Sequence, residues 1–395
     1  MGHENFFHSR LYPWDPKGGN MTILVRFGRY LLAAVLFLTC LQIARAQTQL
    51  ATVQLNPYPQ AISYNPVTNK IYVVDEPTSE VAEIDGISFQ ATFISLGPTS
   101  QQALNAAIRI NPNTNTIYVT NVVDNNIAIV SGATHAVSFV AAGVNPVAME
   151  INLATNKLYV ANFGDNTVTV LNSATNSVKN LNVGASPSAI AINPITNEIY
   201  VANQSSNNVT VIDGNKDRVT ATIAVGTMPQ AIAVNPVTET IYTANLLSSN
   251  ISVIDGDHHT VTEVSVSAFP FVLALNPVTN KIYVTYQTGS FVTVLDGATH
   301  AIVNVPGVVL PLGMAVDPLR NRIYIADTGG GQVAILDGQT NTLLTNQGSI
   351  SDVHAVAMNP LTNEFYAMGN ASGLLTVFAA PPANLPISLL ELIGQ

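Results

Sequence analysis

Short apolar segments alternate with polar turns along the chain, and none of them has the 3.6-residue spacing of an amphipathic helix. Residues 187–226 show the pattern most clearly. Four segments rich in Val, Ile, Ala and Tyr, at 188–192, 199–201, 209–212 and 219–225, are separated by turns rich in Asn, Ser, Gly and Pro. Because the segments are nearly continuous in apolar residues, both faces of each strand are expected to be buried. The pattern predicts four short antiparallel strands in this unit.

The unit is repeated along the chain. Its central phrase, Asn-Pro-Ile-Thr-Asn-Glu-Ile-Tyr-Val-Ala-Asn at 193–203, occurs in eight related copies. Their first residues are Asn65, Asn111, Asn152, Asn193, Asn235, Asn276, Asp317 and Asn359. The first two copies are 46 residues apart and the others 41 or 42. A strand-rich repeat near forty residues indicates a solenoid or a propeller. Four antiparallel strands per repeat favour the propeller blade.

The predicted fold is therefore all-β, a β-propeller of four-stranded antiparallel blades. Eight blades are expected, with seven as the alternative. Residues 51–66 align without a gap with 221–236 and share eight identities, so the chain enters through an additional outermost strand. The eighth copy lacks that strand, because Phe378 runs directly into Ala-Ala-Pro-Pro. We expect residues 50–55 to fill the place and close the ring, which removes an exposed sheet edge. The tyrosine found once in each copy is expected in the core.

The Ile-Tyr-Val-Thr/Ala-Asn phrase, preceded by Asn-Pro-x-Thr-Asn, resembles the YVTN-repeat β-propeller family, which includes surface-layer propellers and YncE-like secreted propellers. The resemblance covers about residues 50–378. It implies the fold, and it implies little about activity because propellers host many unrelated functions.

The N-terminal residues predict export. Two arginines, Arg26 and Arg29, precede the apolar run 31–38, and Ala44-Arg45-Ala46 places small residues where a signal peptidase cleaves. The apolar run is shorter than the roughly 20 residues that a transmembrane helix needs. We expect a signal peptide that starts at Met1 or Met21, no membrane span in the mature chain, and a periplasmic, extracellular or cell-surface location.

Three segments are predicted on this basis: an N-terminal extension with the signal peptide at 1–46, the propeller at 47–380, and a short C-terminal tail at 381–395. Cys40 is the only cysteine and falls in the signal, so the mature chain is expected to have no disulfide. Thr39 before it fits a lipid-anchor site poorly.

The net charge of the chain bears on whether it binds nucleic acid. Residues 47–395 retain 9 of the 14 basic residues and 22 of the 24 acidic ones, for a net charge of −13. Because acidic surfaces repel phosphate backbones, no nucleic acid partner is expected. No phosphate-binding loop, nucleophile elbow or zinc-type histidine spacing is present in the sequence. No cofactor, no metal and no catalytic residue is predicted, and the chain is expected to be a monomer.

Two departures from the repeat define the candidate binding residues. At the fifth position of the first strand most copies have Ala, whereas two consecutive copies have Arg109 and Glu150. They are expected to be neighbours near the channel axis, either as a partly buried ion pair that neutralises itself or as a polar patch that orients a ligand.

The second departure lies at the other end of the channel. Gln60 and Gln230 follow the proline that usually opens the first strand, and His354 holds the same position after Val353. Asp75 and Asp327 come from the loops between the second and third strands. These residues complete the predicted ligand-binding set.

Three functions are compatible with these observations. The first is a secreted, non-enzymatic scaffold that binds a protein, a peptide or a glycan. The alternative is a lactonase-like propeller hydrolase or lyase with a metal or acid–base site at the channel mouth, where His354 would converge with Asp75 and Asp327. The third is a cell-surface coat component, which would need an anchor or lattice-forming tail.

Overall fold

The computed structural model describes residues 48–75, 78–97 and 105–380, which form strands and turns without a helix. No helix in this part of the chain is long and apolar enough to cross a membrane. The predicted signal peptide with Cys40 and the predicted tail 381–395 lie outside the described residues.

The strands follow the repeat. The chain enters through β1 (Gln49–Gln54). Blade 1 contains β2 (Pro59–Asn65), β3 (Lys70–Asp75), β4 (Glu80–Asp85) and β5 (Ala91–Ser95), and blade 2 contains β6 (Asn105–Asn111), β7 (Thr116–Asn121), β8 (Asn126–Ser131) and β9 (Val137–Ala141). Blade 3 contains β10 (Pro146–Asn152), β11 (Lys157–Asn162), β12 (Thr167–Asn172) and β13 (Ser177–Asn182), and blade 4 contains β14 (Pro187–Asn193), β15 (Glu198–Asn203), β16 (Asn208–Asp213) and β17 (Arg218–Ala224).

The second half continues in the same way. Blade 5 contains β18 (Pro229–Asn235), β19 (Thr240–Asn245), β20 (Asn250–Asp255) and β21 (Val261–Ser265), and blade 6 contains β22 (Pro270–Asn276), β23 (Lys281–Tyr286), β24 (Phe291–Asp296) and β25 (Ile302–Pro306). Blade 7 contains β26 (Pro311–Asp317), β27 (Arg322–Asp327), β28 (Gln332–Asp337) and β29 (Thr342–Gln347), and blade 8 contains β30 (Val353–Asn359), β31 (Glu364–Gly369) and β32 (Leu374–Ala379).

Each blade is one four-stranded antiparallel sheet, and its strands pair in chain order. Blade 8 receives its fourth strand from the start of the chain, because β1 pairs antiparallel with β32 from Gln49–Phe378 to Gln54–Leu374. The eight-blade prediction and the predicted closing strand are confirmed.

The middle strands of each blade are buried on both faces, as their continuous apolar sequences predict. The repeated tyrosine is fully buried in all eight copies: Tyr72, Tyr118, Tyr159, Tyr200, Tyr242, Tyr283, Tyr324 and Tyr366. Neighbouring blades pack face to face through these side chains, so the core is divided among the seams between blades rather than gathered at one centre.

The Asn-Pro-x-Thr-Asn turn has two structural functions. The first Asn caps its own turn, as when Asn235 Oδ1 accepts from the Val237 amide at 3.0 Å. Its amide also donates to the last Asn of the next blade's turn, Asn280, at 2.7 Å. Asn359 donates to Asn69 at 3.0 Å in the same way and so joins blade 8 to blade 1. The motif therefore both closes the hairpin and links neighbouring blades.

The last residue of this turn is left-handed in all eight blades, and in blade 5 it is Glu239, with φ 53°. Asn tolerates this backbone better than Glu does. In addition, the Asp257 carboxylate, through a side-chain hydrogen bond and its charge, raises the pKa of Glu239. A raised carboxyl pKa means that the destabilisation is absent at low pH and develops as the pH rises through the folded-state value.

We expect Glu239→Asn to raise the thermal midpoint at pH 7 by roughly 2 °C, and by less at pH 4. Glu239→Gln removes the charge and leaves an unfavourable left-handed residue, so its gain should be smaller and should vanish at pH 4. Differential scanning calorimetry at both pH values checks this. Identical midpoints for wild type and Glu239→Asn would contradict it.

Candidate functional site

The eight first strands, from β2 to β30, pack side by side and line the central channel. Each begins beside the loops that join second to third strands, with a proline in six of the eight blades, and ends at the Asn-Pro-x-Thr-Asn turn. The channel therefore has two ends. We call them the loop face and the turn face.

Arg109 on β6 and Glu150 on β10 meet across two neighbouring blades, as the repeat spacing predicts. Arg109 Nε lies 3.1 Å from Glu150 Oε2, and Arg109 Nη1 donates to the Ile108 carbonyl at 2.9 Å. The predicted partial burial is confirmed, and it is slight, because the side chains are 41% and 32% exposed. The pair lies beside open space in the channel, where water screens its charges.

That space is a cavity of about 490 Å³ near the turn face. Arg109 and Glu150 form its polar side. The rest of its described lining consists of Asn152 and aliphatic side chains from blades 3 to 5, which include Ile151, Ile190 and Ile232. No aromatic residue is among the described residues that line it. A concave apolar surface with a few convergent polar groups is the usual form of a ligand site.

The exposure of the Arg109–Glu150 pair reduces its expected contribution to stability. Each single substitution by Ala should cost less than about 1 kcal/mol in the free energy of unfolding, with a coupling energy of roughly 0.2–1 kcal/mol. A urea-denaturation double-mutant cycle measures the coupling. A single-substitution cost of about 3–5 kcal/mol would indicate that the pair behaves as a buried one.

Gln230 and His354 lie at the loop face. Gln230 Oε1 accepts from the Gln204 amide on the adjoining loop. His354 occupies the place of Ser188, whose hydroxyl donates to the Pro229 carbonyl at 3.1 Å. Burial lowers the pKa of His354, although Asp352 and the carbonyl oxygens of Gln60, Met368 and Pro59 oppose the shift. Both ring nitrogens are buried, and neither is aligned for a hydrogen bond within the described residues.

Asp75 and Asp327 end the second strands of their blades, at the position of Asn203, and both are buried. Asp75 Oδ2 accepts from Asn56 Nδ2 at 2.8 Å. Asp327 accepts from the Val309 amide at 2.6 Å, from the Gly330 amide at 3.1 Å and from Gln332 Nε2 at 3.0 Å. Their carboxylates fix the loop geometry of their own blades.

The structure does not bring His354, Asp75 and Asp327 together as a metal-binding set. Within residues 48–75, 78–97 and 105–380, no group of three His, Cys, Asp or Glu side chains is arranged to hold a metal ion. Of the predicted binding residues, Arg109 and Glu150 are the two that border a cavity of ligand size.

One set of loop-face residues escaped the sequence analysis. Tyr58, Met228, Phe269 and Leu310 each precede the proline that opens a first strand, and each has a left-handed backbone. Blades 3, 4 and 8 have Asn145, Ser186 and Asp352 there. The signal was present in the sequence, because this column holds a bulky residue in five copies, Leu104 of the second copy included, and a small polar residue in the other three.

Comparison with known proteins supports the fold and no more. No protein-family model matches the sequence, and no curated protein matches it either. Among solved structures, Kuenenia stuttgartiensis hydrazine synthase is similar, with a TM-score of 0.58 and 22% identity over 73% of this chain and 100% of that chain. The chain has a β-propeller fold. Its finer resemblance to the YVTN-repeat family stays a prediction, because the fold alone does not assign a family or an activity.

Proposed function

We propose that this protein is an exported, non-enzymatic scaffold that binds a peptide segment in the cavity at the turn face of its channel. The observation that carries the proposal is the pairing of a half-exposed Arg109–Glu150 couple with an aliphatic wall. The wall accommodates Leu-, Ile- or Val-like side chains. The couple can exchange its mutual bond for bonds to a peptide's backbone or charged group.

A peptide is favoured over a glycan because the described residues that line the cavity include no aromatic side chain on which a sugar ring could stack. The lactonase-like alternative needs a metal or an acid–base set, and its discriminating measurement is the metal content of the purified mature chain by mass spectrometry. A stoichiometric metal would favour the enzyme.

The binding test starts with peptides selected from a random phage-displayed library on the purified chain from Gln47 to Gln395. Fluorescence anisotropy then compares the wild type with Arg109→Ala/Glu150→Ala, which restores the repeat's own residue at both positions. We expect at least about tenfold weaker binding by the double variant. Lys216→Ala, at an exposed ion pair on an outer turn, is the control and should bind as the wild type does. Equal binding by all three proteins would refute the proposed site.

Export is a separate proposal and has its own prediction. Cleavage after Ala46 should leave Gln47 as the first residue of the exported protein, because small residues occupy both positions that the signal peptidase reads. Intact-mass measurement of the exported product checks this. A product that keeps residues 31–46, or that carries lipid on Cys40, would contradict it. Ala46→Leu should block the cleavage.

A further inference from the structure

The loop face holds four bulky residues in a backbone conformation that suits small polar ones. Tyr58, Met228, Phe269 and Leu310 have φ of 61°, 61°, 61° and 49°. A left-handed backbone is uncommon outside Gly, Asn and Asp, and it is a strained choice for a large side chain. The equivalent residue Asn145, with φ 54°, shows that the same turn forms around an Asn.

Hydrogen bonds on both sides impose this conformation. The Met228 amide donates to Asn207 Oδ1 at 2.9 Å, and the Met228 carbonyl accepts from the Leu246 amide at 2.9 Å. Ser186 in blade 4 makes the corresponding bonds to Asn166 and Gln204. The turn therefore has the same backbone whether its left-handed residue is polar or apolar. The bulky side chains are not needed to form it, and retained strain of this kind points to a role outside folding.

Three of these residues are on consecutive blades and have exposed apolar neighbours. Leu247 is 57% exposed, Leu310 44%, Val309 43% and Phe269 41%. We call Met228, Leu247, Phe269, Val309 and Leu310 the loop-face arc. It spans blades 5 to 7, whereas blades 3 and 4 have Asn145 and Ser186 at the left-handed position. The exposed apolar residues described at this face are thus concentrated in one sector of the ring, and Tyr58 of blade 1 and Val144 beside blade 3 are two further ones.

Blade 6, at the centre of the arc, departs furthest from the repeat. Tyr286 stands where the repeat has Asn203, and its hydroxyl donates to Thr293 at 2.6 Å, just as the Asn203 amide donates to Thr210 at 2.9 Å. The ring of Phe291 lies 5.0 Å from that of Tyr286, centroid to centroid. The substitution keeps the hydrogen bond and makes this part of the loop face more aromatic.

The loop face is also acidic. The described charged residues at this end of the blades are Asp75, Glu80, Asp124, Asp165, Asp327 and Asp352. The nine Lys and Arg residues after residue 46 lie towards the turn face: Lys70, Arg109, Lys157, Lys179, Lys216, Arg218, Lys281, Arg320 and Arg322. The basic residues are therefore confined to the turn-face half, where carboxylates such as Asp213, Asp255 and Asp337 accompany them, whereas the described charged residues of the loop face are all acidic.

We propose that the loop-face arc docks a segment of another protein in which apolar anchor residues are flanked by Lys or Arg. The apolar side chains of the arc supply the anchor contacts. The carboxylates on the rest of the loop face, at blades 1, 2, 3 and 8, attract the cationic flanks and speed their approach. A second copy of this chain would present the same negative face and be repelled. Anionic lipid headgroups would be repelled for the same reason. This surface is independent of the turn-face cavity.

The test uses a fluorescein-labelled peptide of alternating Lys and Leu pairs, its Glu-for-Lys counterpart, and the chain from Gln47 to Gln395. We expect the Lys peptide to bind, with an affinity that falls as salt is added, and the Glu peptide not to bind. Phe269→Asn/Leu310→Asn should weaken binding of the Lys peptide by about tenfold or more. Because Asn suits the left-handed backbone, this variant should melt no lower than the wild type.

The matched control is Val278→Asn/Leu319→Asn, which removes two exposed aliphatic side chains of the turn face from the same two blades. It should bind the Lys peptide like the wild type. An equal loss in the Val278/Leu319 variant would show non-specific adhesion and overturn the proposal. Unchanged binding of the Lys peptide by Phe269→Asn/Leu310→Asn would also overturn it. A third contrary result is a lower thermal midpoint for both Phe269→Asn/Leu310→Asn and Phe269→Ser/Leu310→Ser, because the bulky residues would then be needed for folding. Loss of peptide binding by Arg109→Ala/Glu150→Ala alone would assign the Lys peptide to the turn-face cavity instead.

Discussion

A chain that begins at Asn56 is expected to be less stable than one that begins at Gln47 by roughly 3–6 kcal/mol. It lacks β1 and the residue after it, and so loses Val53 and Leu55, which are buried in the seam between blades 8 and 1. Burying an aliphatic side chain contributes about 1.5–3 kcal/mol. The deletion also reduces blade 8 to three strands and leaves β32 as its unpaired edge. Urea-denaturation midpoints of the two chains measure the difference.

Single substitutions on β1 separate closure of the ring from an effect of chain length. Val53→Asp places a charge in the closing seam and should destabilise the protein nearly as much as the deletion does. Leu50→Asp lies on the same strand with an exposed side chain and should change little. If the shortened chain unfolds at the same urea concentration as the longer one, β1 does not hold the ring closed.

The fold could be predicted from the sequence because the same local pattern of strands and turns occurs in eight copies. The Asn that ends the turn predicts a left-handed backbone there, and the tyrosine found once in each copy predicts a buried contact between neighbouring blades. Even the closing strand was visible, since residues 51–66 match a region that spans the end of one blade and the start of the next. Repetition turns weak local signals into a specific architecture.

The candidate site was less predictable for a physical reason. Repeat spacing places Arg109 beside Glu150, but it does not report whether the channel beside them is filled or open. Likewise, Asp75 and Asp327 occupy a column of Asn residues, and only the coordinates show their carboxylates bonded to their own loops. Spacing reports which positions are equivalent. Exposure and bonding depend on neighbours from other blades, which the spacing does not specify.

Loss of the buried ion pair in blade 7 is expected to be far more costly than loss of the Arg109–Glu150 pair. Arg322 Nη1 lies 2.8 Å from Asp337 Oδ2, and the two side chains are 4% and 5% exposed. Asp337 also accepts from the Gln339 amide at 2.8 Å. Arg322→Met would leave that carboxylate buried without its cation, at a cost of about 3–5 kcal/mol in the free energy of unfolding at pH 7.

Acidification should reduce this cost. Burial acts to raise the pKa of Asp337, but the amides of Gln339 and Thr340 and the charge of Arg322 outweigh it, so the pKa is lowered overall. A lowered carboxyl pKa contributes stability that is present above the unfolded-state value, near 3.8, and is lost as the pH falls through the folded-state value. The wild-type advantage over Arg322→Met should therefore narrow below about pH 4.

A double-mutant cycle with Asp337→Asn completes the prediction. Asn keeps an oxygen for the turn amides and carries no charge, so Arg322→Met/Asp337→Asn should cost much less than the two single substitutions added together. Lys216→Met, at an exposed pair whose lysine is 64% exposed, is the control and should cost less than about 1 kcal/mol. Urea denaturation at pH 7 and at about pH 3 supplies all the values. Additive single costs would mean that Arg322 and Asp337 do not stabilise each other, and that the arginine is held in blade 7 by its packing alone.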